Sequence, residues 1–284
     1  MFTTLRISVA ILCLGAMPVY VKADDRCTYK AFTLQSKHLA EEREIWVSLP
    51  MRFDPSESYP VLYVLDAEWR FDLVRTIAWD LSGNKKIPRH IVIGIPHVEW
   101  ENKRGIDLTF SHTLNEYDGS TISDGVYNPS NSGGGQAFFD YLSKEVVPWI
   151  DLHYPTNGSN VLIGHSYGGY FAAYALSIGS PFNALQIYDP SAWFNKGEVV
   201  NRLQSHIDKL DSASVFVSYQ PSPQYHREKI DALISVLKRR TDISIDAKLY
   251  PQETHNSLFL PSFLDGMAFL YADTTSTEQD GLNH

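Results

Sequence analysis

Cysteine is nearly absent: two residues in 284, Cys13 and Cys27, with Cys13 inside an apolar N-terminal run. Once that run is cleaved, Cys27 has no partner in its own chain, so no intrachain disulfide is expected and stability must come from the core. Clusters of Lys and Arg are missing too. The formal net charge is −9, which makes nucleic acid or an anionic membrane a poor partner. No H-E-x-x-H, C-x-x-C or P-loop pattern occurs, so neither a metal nor an organic cofactor is implied. The glycines at 133, 134 and 135 read as a flexible hinge before a helix rather than as a phosphate cradle. There is no internal repeat, composition break or long linker, which makes residues 24–271 one expected domain.

The N-terminus has three parts: a short basic start from Met1 to Arg6, an apolar run from Ile7 to Met17, and small residues at Val21 and Ala23 before Asp24 and Asp25. That is the pattern of a secretory signal peptide, with cleavage expected after Ala23. The run falls well short of the ~20 apolar residues of a membrane span. A lipoprotein is disfavoured, because Cys13 follows the bulky Leu12 within the apolar core. The mature chain would lose Arg6 and Lys22 and no acid, which takes its formal charge from −9 to −11. An exported protein of a bacterial periplasm is the expectation, with no membrane span after cleavage and a polar, disordered tail over residues 272–284.

Short apolar or β-branched runs alternate with longer amphipathic ones, as in a sheet covered by helices on both faces. Tyr29 to Gln35 and Glu44 to Leu49 read as antiparallel entry strands. Further strands are expected at 61–65, 91–95, 161–163, 184–188, 215–217 and 243–249, the inner ones as almost unbroken apolar runs. Helices are expected near 71–81, 136–152, 169–178, 227–240 and 257–271. The segment 100–135 is polar, rich in Gly, Ser, Asn and Asp, and without period. A loop that long in a compact domain is usually functional or mobile.

The sequence Gly164-His165-Ser166-Tyr167-Gly168 follows the apolar run ending at Ile163 and precedes a helix-like stretch. A serine lifted on a sharp strand-to-helix turn needs small neighbours, so that backbone can pass without collision; Gly164 and Gly168 are read as supplying that room. The turn would aim the N–H of Tyr167 at an oxyanion formed beside Ser166. A serine hydroxyl needs a base within reach, and His255 is best placed among the histidines: it follows the last expected strand, on the edge where Ser166 leaves its own. His97, His112, His165 and His226 are read as surface or structural.

The acid is less determined. The loop after 215–219 carries no carboxylate near the strand end. Asp189, which ends the preceding strand, is favoured over Glu228, and a Ser-His dyad stays open. The second oxyanion donor is expected to be the N–H of Glu68, two residues past the strand ending at Leu65. The Glu68 side chain is left between substrate contact and solvation.

Six stretches resemble, in order, the esterase D-like esterases, a family that includes the enterobactin-type siderophore esterases: 43–50, 59–67, 107–109, 164–169, 189–193 and 254–257. The resemblance covers nearly the whole mature chain and implies an α/β-hydrolase fold, with a mostly parallel sheet and helices on both faces, and Ser166 and His255 as nucleophile and base. Departures stand beside it. Ala67 replaces a common glycine, and the acid many members carry after the 215–217 strand is missing. The family's Arg-rich loop is only partly present, as Lys103-Arg104-Gly105-Ile106-Asp107, and Arg104 is read as contacting an anionic substrate group or as forming an ion pair with Asp107 or a neighbour.

The expected activity is that of a serine carboxylic-ester hydrolase acting on a small-molecule ester through an acyl-enzyme on Ser166. Aromatic residues at the expected catalytic edge (Trp69, Trp100, Tyr167, Tyr170, Trp193) suggest an aromatic or siderophore ester, with Trp69 and Trp193 as substrate contacts. An acyltransferase on the same scaffold and a periplasmic binding protein without turnover are the alternatives.

Overall fold

The computed structural model describes residues 29–98, 100–121 and 127–272, with residues 100–102 as backbone alone. The expected signal peptide, Cys27, the Trp100 side chain and the expected tail after Ala272 lie outside the described side chains. Within this range the alternation of apolar runs becomes one eight-stranded sheet: β1 (Lys30–Gln35), β2 (Glu42–Ser48), β3 (Tyr59–Leu65), β4 (Ile91–Ile95), β5 (Thr156–His165), β6 (Ala184–Tyr188), β7 (Ala213–Tyr219) and β8 (Ile243–Leu249). Their spatial order is β1-β2-β4-β3-β5-β6-β7-β8. β1 and β2 pair antiparallel, β2 joins β4 antiparallel, and all further pairings are parallel. The entry strands alternate in burial, whereas every residue of β3, β4 and β6 is buried. That contrast is the signature of strands covered on both faces.

Two apolar cores do the covering. One face packs against α1 (Ala67–Gly83) and, at the far end of the chain, the Phe259–Leu270 helix, around Phe71, Val74, Phe263 and Met267. The opposite face packs against α2 (Trp100–Leu108), α3 (Gly135–Tyr141), α4 (Val147–His153), α5 (Tyr167–Ala175), α6 (Phe194–Ser205) and α7 (Gln224–Leu237). With α8 (Phe259–Leu270) this is the α/β-hydrolase arrangement. A turn of π-helix, Leu142–Val146, joins α3 to α4, so the expected helix over 136–152 is one continuous helical stretch.

All eight expected strands form, with β5 starting five residues earlier than its apolar core. Two helices escaped the sequence reading. α2 opens the segment 100–135 that was expected to be loop, and its apolar content is low because ion pairs hold it: Lys103, Arg104 and Asp107 all have charged partners. α6 is hidden by a left-handed break at Asn195, Lys196 and Gly197, which interrupts the 3.6-residue pattern. The triple glycine is no flexible hinge. The N–H groups of Gly133, Gly134 and Gly135 donate to Thr109 Oγ1, the Ile106 carbonyl and the Thr109 carbonyl, which docks the start of α3 on α2 and the residue that follows it.

In a parallel sheet the carboxyl edges of neighbouring strands align. β3, β5, β6 and β7 are consecutive in space, so the loops after residues 65, 165, 188 and 219 gather at one edge.

Candidate active site

Ser166 sits between β5 and α5 with φ 61° and ψ −118°, a conformation that L-residues rarely adopt. Its backbone is held from two sides. Its N–H donates to the Tyr188 carbonyl, and its carbonyl accepts from the N–H groups of Tyr170 and Ser191. The turn depends on glycine at 164, where an added Cβ would lie 2.1 Å from the Gly168 carbonyl oxygen. Gly168 differs from the expectation: a Cβ there would meet nothing closer than 3.4 Å. The second close approach is at Gly169, where a Cβ would lie 3.1 Å from Pro190.

The loop after β6 delivers Asp189, which is fully buried and also left-handed, with φ 39°. Its Oδ2 accepts from His255 Nδ1 at 2.6 Å, and its Oδ1 accepts from His226 Nε2 at 3.0 Å and the Gln220 N–H at 3.3 Å. Burial alone would raise the carboxyl pKa, but the hydrogen bonds from His226 and His255 outweigh it and hold the group at about 2. With Nδ1 engaged, His255 has its Nε2 left for chemistry. The Glu228 alternative is separate: it stands exposed on α7 and accepts from Gln224.

Two histidines read as bystanders take part in this assembly. His226 lies beyond β7, in the stretch that carries no carboxylate near the strand end, and its buried ring faces Asp189 from the start of α7. The signal was present as a histidine in place of a carboxylate. His165, inside the serine motif, donates from Nε2 to the His255 carbonyl at 2.6 Å, with the rings 4.4 Å apart. Burial first, then the positive fields of His255 and Arg70, lower its pKa to about 3, so it is a neutral brace for the His255 loop. Ser191 adds a hydroxyl 3.5 Å from Ser166 Oγ.

A second buried network faces the serine from β3 and β4. Asp66, left-handed at the start of α1, accepts from Arg104 Nε and Nη2 at 2.6 and 2.9 Å. His97 donates from Nδ1 to Asp107 at 2.8 Å, and its Nε2 approaches Asp66 at 3.4 Å, an electrostatic contact too long for a good hydrogen bond. Asp107 also takes both Nη atoms of Arg43 at 2.8 Å. Burial disfavours the charged form of His97, but the two carboxylates win and raise its pKa to about 9. Charges therefore alternate from Arg43 through Asp107, His97 and Asp66 to Arg104. The partner of Arg104 is Asp66 and not Asp107.

Glu68, the second residue of α1, accepts from the His97 N–H through its carboxylate. Its side chain is therefore part of this frame. The N–H groups of Ala67 and Glu68, like that of Tyr167 in α5, belong to the first turn, where a helix leaves its donors without intrahelical acceptors. β3 and β5 are neighbours, so two helix N-termini open onto the same edge.

Ser166 and His255 line two cavities. One, of about 440 Å³, is walled by Tyr127, Tyr167, Trp193 and His226, with Arg104 and Glu116 as its charged groups. The rings of Tyr127, Tyr167 and Trp193 lie 6.1 to 6.4 Å apart, centre to centre. The other, of about 390 Å³, takes in Asp66, Trp69, Arg70, Arg104 and Asn256. Arg104 lies between them, its guanidinium over Tyr167 at 5.1 Å and Trp69 at 5.8 Å. Of the aromatics expected at this edge, Trp69, Tyr167 and Trp193 reach a cavity. Tyr170 instead is buried in α5 and donates to Glu198. Tyr127 and Glu116 come from the segment 100–135, expected as a functional or mobile loop. Among the described residues, no group of three or more His, Cys, Asp or Glu side chains is placed to hold a metal ion, and no helix is long and apolar enough to cross a membrane.

Comparison with known proteins places the chain among esterases. Residues 36–183 match the family model described as "Putative esterase". The solved structure of an IroE-like serine hydrolase from Shewanella oneidensis is 31% identical, with a TM-score of 0.77 over 86% of this chain and 80% of that one. A siderophore triacetylfusarinine C esterase from Aspergillus fumigatus is 23% identical over 84% of this chain and 82% of its own. A siderophore enterobactin esterase from Emericella nidulans is 25% identical over 63% and 70%, respectively.

Proposed function

Since the chain belongs to this esterase family and is thereby a carboxylic-ester hydrolase, we propose that it works through a Ser166-His255-Asp189 triad and an acyl-enzyme. His255 Nε2 takes the proton of Ser166 Oγ as the oxygen attacks the ester carbonyl. The N–H groups of Tyr167 and Glu68 receive the developing oxyanion, held at the positive ends of two helices. The tetrahedral adduct collapses, His255 returns the proton to the departing alkoxide, and the alcohol leaves. A water activated by the same imidazole then releases the acid and restores Ser166. Asp189 keeps the imidazole in the tautomer that leaves Nε2 unprotonated and stabilises the imidazolium of each transition state; it remains ionised throughout.

The observation that carries this reading is the buried Asp189 carboxylate 2.6 Å from His255 Nδ1, on an imidazole that shares both cavities with Ser166. The substrate is proposed to be an aromatic ester of the siderophore type, its ring set against Tyr127, Tyr167 and Trp193 with Arg104 alongside. Two relatives are named as siderophore esterases, and the wall is aromatic. Export to a periplasm is part of the same proposal and rests on the sequence of residues 1–23; residues 24–271 are proposed as the single catalytic domain.

The test is reaction of purified residues 24–284 and of Ser166→Ala with a fluorophosphonate probe and short p-nitrophenyl esters. Labelling and turnover confined to the wild type support the serine nucleophile. Folded wild type that neither labels nor turns over would refute it.

A further inference from the structure

Arg70 is a half-buried base beside the nucleophile. It lies on the first turn of α1, its N–H bonded to the Asp66 carbonyl, and it lines the 390 Å³ cavity together with Ser166 and His255. Among the described residues no carboxylate comes within ion-pair distance of its guanidinium. What fixes the guanidinium is the Phe259 ring, 4.3 Å from its central carbon. The nearby carboxylate is Asp66, and Asp66 is already occupied: Arg104 holds it through two hydrogen bonds and His97 adds a third positive contact. In a chain with net charge −9, acids outnumber bases, and a guanidinium that gives up part of its hydration is ordinarily matched by one. Here burial, and then the positive charge of Arg104, press the Arg70 pKa down, with Asp66 opposing.

We propose that Arg70 is an anion subsite beside the nucleophile, so that the ester this enzyme prefers carries a carboxylate. The proposal rests on the esterase reading above and adds a substrate class to it. The chemistry follows from the two cavities. They meet at Ser166, His255 and Arg104, so an ester whose carbonyl sits at Ser166 sends one arm into each. The aromatic walls of one accept a ring. The other offers Arg70, whose delocalised, planar guanidinium suits two-point contact with a carboxylate. Stacking on Phe259 orders the side chain before substrate arrives, which lowers the entropy cost of that contact. Arg104 has two of its nitrogens engaged by Asp66 and is the weaker anion receptor, better suited to flanking the ester itself.

Two matched pairs of esters test the proposal, one with charge on the acyl arm and one with charge on the alcohol arm. The first is 4-nitrophenyl hemisuccinate against 4-nitrophenyl succinamate. The second is O-benzoylglycolate against O-benzoylglycolamide. Wild type should favour the carboxylate member of at least one pair by about tenfold or more in kcat/KM, the size of one charge-assisted hydrogen-bond contact. Arg70→Gln should bring that ratio close to one, and Arg70→Lys should retain part of it. Because each ratio compares two substrates on one variant, a general loss of activity or stability cancels.

Ratios near one for both pairs in wild type, or a ratio that survives Arg70→Gln, would overturn the subsite. Failure of the esterase reading looks different: neither member of either pair is turned over and the fluorophosphonate does not label. In that case calorimetry of Ser166→Ala with the same four compounds still decides the subsite, by whether the carboxylates bind more tightly than the carboxamides.

Discussion

His226 donates its Nε2 hydrogen to the Asp189 oxygen that His255 does not use, 3.0 Å away and out of contact with solvent. One carboxylate thus holds two imidazoles, and the position of the acid relative to His255 is set by a residue from a different strand loop. His226 is proposed as a positioning residue on this ground. Its replacement by Phe should cost about 1.5–3 kcal/mol of stability, the range for a hydrogen bond to a charged group. It should also lower kcat more than it changes KM, with His226→Gln recovering part of kcat. Urea unfolding together with ester kinetics checks both; an unchanged kcat would reduce His226 to a packing role.

Asp189→Asn should leave the fold intact and lower kcat/KM by on the order of 10³- to 10⁴-fold, because an amide facing Nδ1 favours the wrong imidazole tautomer. The same carboxylate contributes to acid stability. Its pKa is about 2 in the folded state against about 3.9 for a free aspartate. The stabilisation it supplies is therefore complete above pH 4 and disappears as the pH falls toward 2. Melting temperatures of wild type and Asp189→Asn should converge across that interval, and a constant gap down to pH 2 would contradict the assignment.

His97 works in the opposite direction. Its folded pKa of about 9 lies above the ordinary value of about 6.5. The stabilisation from its protonated ring is full below pH 6.5 and is lost as the pH rises through 9. Melting temperature should accordingly fall between pH 7 and pH 10 in wild type and be flatter over that interval in His97→Gln. Asp66 and Asp107, on either side of the ring, are both held below the usual carboxylate range and stay charged throughout.

The two glycines of the serine motif should separate cleanly. Gly164→Ala forces a Cβ onto the Gly168 carbonyl oxygen and should destabilise by about 3 kcal/mol or more, at the upper end of overpacking penalties. Gly168→Ala meets no such obstacle and sits in a helix, where alanine is favoured by up to about 1 kcal/mol. Thermal unfolding of the two variants checks the contrast; equal losses would mean that the turn is tight at both ends.

Trp193→Ala should reduce the preference for aromatic over aliphatic acyl esters by about tenfold, since one buried face of the aromatic wall is removed. Competition between matched benzoyl and butanoyl esters reads this directly. Unchanged selectivity in Trp193→Ala and in Trp69→Ala would remove the aromatic wall from the recognition argument.

The fold class was legible because it is written in local pattern. Short, β-branched apolar runs such as Val61 to Leu65 and Ile91 to Ile95 read as strands covered on both faces, and the alternating residues of β2 mark the exposed margin of the sheet. What escaped was held by charge instead of by periodicity. α2 has little apolar repeat because Arg104 and Asp107 anchor it, and α6 begins with a left-handed turn that no helical pattern anticipates.

Ser166 and His255 could be placed on one edge from sequence by itself, because each follows a strand and parallel strands end on the same side. Which carboxylate would reach His255 was left open. The answer depends on β6 lying between β5 and β7, so that Asp189 stands within reach of loops that are 31 and 66 residues away along the chain. The same holds for the partners of Arg104 and His226 and, among the described residues, for the lack of an ion-pair partner at Arg70. Residue type and periodicity determine strands, helices and the turn that lifts the serine, since those are local preferences of the backbone. Which charges meet was decided only when the sheet brought distant loops together, since burial makes an ion pair count and burial is a property of the folded chain.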